Sequence, residues 1–134
     1  MTVEINLNEE LNKKLNKVLS KQNTTLEDYI NDLLKKDLIY KINLTKGFYI
    51  DTYSKKLFNK KDEVIKLTQI QYNIMELLAK NEKEIVSLEQ LVKSCWNRKE
   101  VSIFTLRNMI KQIRDKTFYE IVKSHSNLGY SVNI

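Results

Sequence analysis

Proline is absent from the 134-residue chain, and glycine occurs only twice. These two residue types therefore enforce few turns, and we expect most of the chain to form regular helices and strands. The single cysteine, Cys95, cannot form an internal disulfide, which fits a reducing compartment. One cysteine and one histidine, His125, also cannot supply the four nitrogen or sulfur ligands of a usual zinc site. The sequence therefore predicts neither a disulfide scaffold nor a metal or other cofactor.

Long apolar runs are missing as well. No run approaches the ~20 residues that cross a bilayer, and no basic segment followed by an apolar one opens the chain. We therefore expect a soluble, cytoplasmic protein without a membrane partner. The sequence contains no paired nucleophile and base and no Gly-rich phosphate loop. We accordingly expect no catalytic residues, no enzymatic activity and no small-molecule ligand.

Positive charge is concentrated in one part of the chain. The net charge is +6, yet residues 1–44 contain seven lysines and seven acidic residues and are neutral. Residues 45–134 contain sixteen basic and ten acidic residues and carry the whole excess. A basic segment favours a polyanionic partner, so the two parts are expected to have different roles.

The N-terminal segment begins with the period-two alternation of a β-strand. Its apolar positions are Val3, Ile5 and Leu7, and two amphipathic helical patterns follow over residues 8–22 and 25–38. So short a segment cannot bury a sufficient core alone, and a lone strand leaves both edges unpaired. We therefore predict a homodimer with an antiparallel two-stranded ribbon and four packed helices. The predicted dimerisation residues are Val3, Ile5, Leu7, Leu15, Leu19, Ile30, Leu33 and Leu34.

This segment resembles the ribbon-helix-helix family, which includes the Arc and MetJ repressors. The resemblance covers residues 2–40 and rests on the strand VEINL, the helix NEELNKKLNKVLSKQN and the helix TTLEDYINDLLKKDL. It implies that the outward strand residues Thr2, Glu4 and Asn6 contact bases in the major groove. Glu4 has the wrong charge for a site among phosphates, and the segment is neutral, so we favour a dimerisation role alone. DNA contact by the ribbon is the alternative.

The C-terminal part has the element order of a winged helix. Capping residues at Thr68, Ser87 and Ser102 each precede an apolar stripe with helical spacing. Two alternating segments then flank a turn at residues 125–129. The predicted elements are short β-segments at 47–51, 56–59 and 63–67, helices at 68–80, 87–96 and 102–116, a polar connection at 97–101, and strands at 119–123 and 130–134.

Residues 42–134 resemble the DNA-binding domain of OmpR/PhoB-type response regulators. The matching segments are LTQIQYNIMELLAKNEKEIVSLEQLVKSCW, VSIFTLRNMIKQIRDK and IVKSHSNLGYSVNI. The resemblance implies that the third helix lies in the major groove while the wing reaches the minor groove or the backbone. It places phosphate contacts at Trp96 and Arg114, and backbone contacts of the wing at Lys123, His125 and Ser126. The groove-facing positions are Phe104, Thr105, Arg107, Asn108, Lys111 and Gln112.

The predicted fold is therefore α+β. A ribbon-helix-helix dimerisation domain (1–41) precedes a winged helix-turn-helix DNA-binding domain (42–134) that starts with a small antiparallel sheet. Some 44 residues before the second domain are too few for a receiver domain, so we expect none. The predicted function is a dimeric, sequence-specific transcriptional regulator of bacterial or phage type that binds double-stranded DNA, with RNA polymerase as a further candidate partner.

Two other functions stay open at this point. The first is an antitoxin or adaptor, in which the ribbon-helix-helix module dimerises or binds DNA and the C-terminal domain binds a protein. The second keeps DNA binding but assigns base recognition to the ribbon and protein partners to the winged domain. The charge distribution argues against this second alternative, because the ribbon segment is neutral.

Overall fold

The computed structural model describes residues 1–96 and 100–132. They divide into two compact units, Met1–Leu38 and Ile39–Ile134. None of the helices described is long and apolar enough to cross a bilayer.

The first unit consists of two capped helices. Helix α1 spans Glu9–Gln22 and helix α2 spans Leu26–Lys35, after which a π-helical turn covers Lys36–Tyr40. The Asn8 side chain accepts a hydrogen bond from the Leu11 N–H (2.8 Å), and the hydroxyl of Thr25 accepts one from the Asp28 N–H (3.2 Å). Each bond satisfies a backbone donor that the first turn of a helix leaves open. Both helices begin where the helical patterns over residues 8–22 and 25–38 predicted them.

The predicted strand at Val3–Leu7 is not present in the single chain. Residues 1–8 form neither helix nor strand. A β-strand requires a hydrogen-bonded neighbour, and the described unit Met1–Leu38 contains no second strand. The ribbon, and with it the ribbon-helix-helix assignment, therefore stays a prediction about two chains.

The second unit opens with a four-stranded antiparallel sheet. Strands β1 (Lys41–Asn43), β2 (Tyr49–Asp51), β3 (Lys56–Phe58) and β4 (Val64–Ile65) pair in that order. Each of the three predicted β-segments contains one of the last three strands. Alternation along the strands buries Ile50 and Leu57, which pair directly, and puts the stacked rings of Tyr49 and Phe58 on the opposite face.

Three helices and a hairpin follow the sheet. They are α3 (Gln69–Lys80), α4 (Leu88–Cys95), α5 (Ile103–Lys116) and the strands β6 (Val122–His125) and β7 (Gly129–Val132). Strand β7 also pairs with the short β5 (Val86–Ser87), which gives the sheet order β5-β7-β6. This is the predicted winged-helix order.

One boundary of the hairpin was predicted wrongly. A strand was expected over 119–123, but Tyr119–Ile121 form a 3₁₀ turn and β6 begins at Val122. Ile121 donates its N–H to the Phe118 carbonyl, so the turn closes locally before the chain reaches its strand partner. The predicted residues 97–99 of the polar connection and 133–134 of the last strand lie outside the described residues.

The core of the second unit fills the space between these elements. Helix α3 contributes Ile74, Met75 and Leu78, whose spacing of one, three and four residues places them on one side of the helix. Cys95 lies on the buried side of α4, as expected for a structural thiol, and burial raises its pKa to about 11. The other fully buried side chains include Leu91, Leu106, Ile110 and Ile113, each worth about 1.5–3 kcal/mol of burial free energy.

Candidate nucleic-acid interface

Helix α5 is fixed at its start by a local cap. The hydroxyl of Ser102 accepts a hydrogen bond from the Thr105 N–H (3.2 Å), and the two hydroxyl oxygens lie 3.0 Å apart. Leu106, Ile110 and Ile113 then bury one side of the helix. The cap and this apolar stripe together determine which side chains of α5 face solvent.

The exposed side of α5 brings together four of the predicted groove-facing residues. Phe104 is 78% exposed, and Arg107, Asn108 and Lys111 are exposed as well. Within the part of the chain that the structure describes, the side chains of Arg107, Asn108 and Lys111 form no hydrogen bond or ion pair. Two cations and an amide are thus available to an external partner on one helix face.

Two further predicted groove-facing residues form hydrogen bonds within the chain. Gln112 is half-buried, and its carbonyl oxygen accepts a hydrogen bond from the Gln71 amide (2.7 Å). Thr105 is held by the cap at Ser102. The structure therefore places Gln112 at the edge between α5 and α3 rather than at the centre of the exposed face.

Arg114 connects α5 to the wing. Its Nη2 donates to the Val122 carbonyl (2.6 Å) and to the Ser124 hydroxyl (3.0 Å), and its guanidinium lies 4.3 Å from the centre of the Tyr119 ring. The Nε of Arg114 is buried without a hydrogen-bond partner among the described residues. This geometry makes the side chain a brace between helix and wing, and the phosphate contact that the resemblance implied for it stays a prediction.

The wing contains the three residues that were predicted to contact the DNA backbone. Lys123 and Ser126 are exposed, and the half-buried His125 has its Nε2 at 2.8 Å from the Ser131 hydroxyl. A Cβ added to Gly129 would lie 1.9 Å from the Val86 carbonyl oxygen, so only glycine allows β5 and β7 to approach this closely. Strand β7 of the wing is thereby held close against β5.

A polar cleft of about 460 Å³ separates α5 from the wing. Arg107 and Arg114 line it from the helix, and Ser124, His125 and Ser126 line it from the wing. No acidic residue is among the described residues that line this cleft. Its chemistry of guanidinium, imidazole and hydroxyl groups suits an anion such as a phosphate.

Trp96 is placed differently from the other candidates. It follows the last residue of α4, and its backbone N–H donates to the Val92 carbonyl (3.4 Å). Its half-buried side chain packs against the core. The indole therefore has a packing role in the chain as described. The connection that follows, through which RNA polymerase was a candidate partner, includes residues 97–99 outside the described part.

Sequence reasoning missed a polar cluster between α3 and α5. Gln71 is buried and bonds to Gln112 and Lys116, which lie 41 and 45 residues away along the chain. Its own capping box with Thr68 was detectable as a T-x-x-Q spacing in front of an apolar stripe. The contacts to α5 had no such signal, because they depend on how the two helices pack.

The three helices and wing, preceded by an antiparallel sheet, define a winged-helix domain of OmpR/PhoB type. The family described as "Transcriptional regulatory protein, C terminal" matches residues 62–132, which is more than half of the chain. The chain belongs to this family. No curated protein is a significant match to it.

Solved structures agree on the fold. The DNA-binding domain of the response regulator AdeR, solved in complex with an intercistronic region, is 18% identical, and the match covers 68% of this chain and 98% of that one with a TM-score of 0.59. The Klebsiella pneumoniae RstA DNA-binding domain, in complex with the RstA box, is 17% identical over 69% and 96% of the two chains, with a TM-score of 0.59. DrrB, an OmpR/PhoB homolog from Thermotoga maritima, is 20% identical; the match spans 98% of this chain but 55% of DrrB (TM-score 0.62).

Proposed function

We propose that this chain is a sequence-specific transcriptional regulator that places α5 in the major groove of double-stranded DNA. The observation that carries the proposal is the exposed face of α5, where Arg107, Asn108 and Lys111 have no partner within the described residues. Arginine and lysine donate to guanine or phosphate, and asparagine pairs with adenine. The AdeR and RstA domains, which share the fold, are DNA-binding domains.

The wing and the start of α5 supply secondary contacts in this proposal. Lys123 and His125 contact the backbone, and the cleft beside Arg107 takes a phosphate. Ser126 stands near the position where the wing of this family usually has an arginine, so minor-groove recognition is weak. The exposed ring of Phe104 contacts a thymine methyl group.

We further propose that the first unit dimerises the protein. Neither α1 nor α2 contains a buried residue, although both are amphipathic. Their apolar sides, with the strand positions Val3, Ile5 and Leu7, line a groove of about 530 Å³. An uncovered groove of this kind is unfavourable in water, which supports coverage by a partner.

A second copy of this chain is the proposed occupant of the groove. The neutral charge of residues 1–44 allows two identical segments to meet without repulsion. The alternating segment Val3–Leu7 is self-complementary, since two copies pair antiparallel with their apolar sides toward the helices. In this arrangement Thr2, Glu4 and Asn6 face outward, and we assign base recognition to α5 because the ribbon carries no net positive charge.

Selection of bound sites from random double-stranded DNA with the full chain tests both parts. The expected result is one motif repeated as two half-sites at a narrow range of spacings, because a dimer presents two α5 helices. A motif without a repeat, together with a monomer in sedimentation, contradicts dimerisation. A folded chain that enriches no motif contradicts DNA recognition, and a stable complex with a different protein then favours an antitoxin or adaptor.

A further inference from the structure

Gln71 joins the start of α3 to helix α5, because its side-chain amide forms one hydrogen bond with Thr68 and two with side chains of α5. The residue is only 1% exposed. Its Oε1 accepts from the Thr68 N–H (3.0 Å) and from Nζ of Lys116 (2.8 Å), while its Nε2 donates to Oε1 of Gln112 (2.7 Å). A buried amide with both ends bonded is held in one orientation.

Chemistry alone determines the direction of each bond. A backbone N–H and an ammonium group can only donate, so the end of Gln71 that faces Thr68 and Lys116 must be its carbonyl oxygen. The opposite end is the NH₂ group, and Gln112 must meet it with an oxygen. The NH₂ group of Gln112 consequently points away from Gln71. Nε2 of Gln112 has no hydrogen-bond partner within the described residues. It is also not one of the described side-chain atoms that are buried without a partner.

We propose that Gln71 is a positioning residue for DNA recognition, because it turns Gln112 so that this side chain offers a hydrogen-bond donor to DNA. The inference rests on the proposed function, in which α5 binds DNA. A donor at this place selects an acceptor: guanine O6 or N7, thymine O4, or a phosphate oxygen. The bidentate pairing of a glutamine with N6 and N7 of adenine is disfavoured, since Gln71 already occupies the Gln112 oxygen.

The substitution Gln71→Glu reverses this arrangement with little change in shape. Both carboxylate oxygens accept hydrogen bonds, so the contacts to Thr68 and Lys116 persist while Gln112 must rotate and donate its NH₂ group to Glu. The oxygen of Gln112 then faces DNA. The matched control is Gln69→Glu, which adds the same charge on the exposed side of α3, where the Gln69 side chain bonds to that of Asn73 and to no other described residue.

Site selection with the two variants gives the first readout. If Gln112 donates to a base, Gln71→Glu shifts the preference at one base pair toward cytosine or adenine, by about three- to tenfold for one hydrogen bond. If Gln112 donates to a phosphate, Gln71→Glu weakens all sites alike by a similar factor relative to Gln69→Glu. A motif and an affinity that match those of Gln69→Glu overturn the inference.

Solvent exchange of the side-chain amides, measured by NMR without DNA, gives a second readout. In the wild-type chain the NH₂ group of Gln71 exchanges slowly and that of Gln112 quickly; in Gln71→Glu the Gln112 group becomes slow. Unchanged fast exchange of Gln112 in a folded variant overturns the inference.

Should Gln71→Glu fail to fold, Gln112→Glu presents an oxygen to DNA with Gln71 intact and must reproduce the change in binding. A wild-type chain that selects no DNA overturns the proposed function, whereas the exchange pattern reports on Gln71 independently.

Discussion

Nη2 of Arg114 lies 2.6 Å from the carbonyl oxygen of Val122 and so joins helix α5 to the first strand of the wing. Val122 is buried, and the arginine offers its carbonyl a charge-assisted donor. The Tyr119 ring also contacts the guanidinium, 4.3 Å from ring centre to guanidinium carbon. The relative placement of helix and wing therefore depends on this side chain.

Replacing Arg114 by alanine is expected to lower the free energy of unfolding by about 1–3 kcal/mol, because it leaves a buried carbonyl without a donor. Urea denaturation measures the change. The matched control is Arg107→Ala, which removes an exposed arginine from the same helix and shifts stability by no more than about 0.5 kcal/mol. Equal stability of the two variants would show that Arg114 is not a brace.

Arg107→Ala should instead reduce binding to all DNA sequences alike. Loss of one phosphate contact decreases the dependence of log affinity on log salt by about one unit of slope. Fluorescence anisotropy over a series of salt concentrations measures this slope. An unchanged slope would place Arg107 away from the DNA backbone.

Asn108→Ala is expected to relax base preference at one position. A bidentate contact to adenine discriminates against other bases by about 1–3 kcal/mol. Binding to the selected site and to its single-base variants measures the loss. Asn16→Ala, an exposed asparagine on α1, is the control and should leave preference intact. Retained discrimination in Asn108→Ala would contradict the assignment of the α5 face to the major groove.

Local signals in the sequence predicted much of this fold. The caps at Asn8, Thr25, Thr68, Ser87 and Ser102 all accept the expected backbone hydrogen bond, because a cap depends on residues three positions apart. Helical stripes were equally informative, since the buried side of a helix repeats every three to four residues. These local patterns also predicted the order of the elements in the second unit, and the family resemblance matched that order.

Features that depend on distant contacts were not predictable in this way. The roles of Gln112 and Arg114 inside the protein arise from packing of α5 against α3 and against β6, and neither contact leaves a pattern in the neighbouring sequence. Residues 2–7 have a clear alternation, yet they form no strand in the single chain, and the predicted ribbon would need a second chain. Sequence patterns therefore indicated which face of α5 is polar, while packing decides which of its polar side chains are free.

Gly129→Ala is expected to destabilise the wing strongly. The added methyl group would overlap the Val86 carbonyl, which is backbone and cannot move aside, so the free energy of unfolding should fall by about 2 kcal/mol or more. Gly47→Ala is the comparison: its φ of +77° is also unfavourable, and its added Cβ would lie 2.9 Å from Cβ and Cγ of Lys60, which is a much smaller overlap than the one at Gly129. We expect a cost of about 1–2 kcal/mol there. Thermal unfolding ranks the two, and a larger loss for Gly47→Ala would contradict the close approach at Gly129.

The thiol of Cys95 is expected to be unreactive in the native protein. Burial raises its pKa from 9.0 to about 11, so the reactive thiolate is scarce near neutral pH. The raised pKa also means that the unfolded chain loses the proton first. The contribution of the buried, protonated thiol to the free energy of unfolding is therefore complete below pH 9.0 and is lost as the pH rises toward 11. Alkylation in native buffer and in urea measures the difference, and rapid alkylation of the folded chain would contradict the burial.

Leu33→Glu is expected to convert the proposed dimer into a monomer at micromolar concentration. Leu33 lines the apolar groove of the first unit and is 46% exposed in the single chain, so a glutamate there is tolerated by one copy alone. Glutamate also preserves helix α2, because its helix propensity is close to that of leucine. In the paired form the carboxylate would be buried without a partner, which opposes association.

Ile85→Glu is the matched control, since Ile85 is also 46% exposed but belongs to the second unit. Analytical ultracentrifugation should show a dimer for the wild type and for Ile85→Glu, and a monomer for Leu33→Glu. The monomer should retain the half-site preference with reduced affinity, because each winged domain still carries α5 while the avidity of the pair is lost. A Leu33→Glu chain that stays dimeric would exclude the groove as the interface between copies.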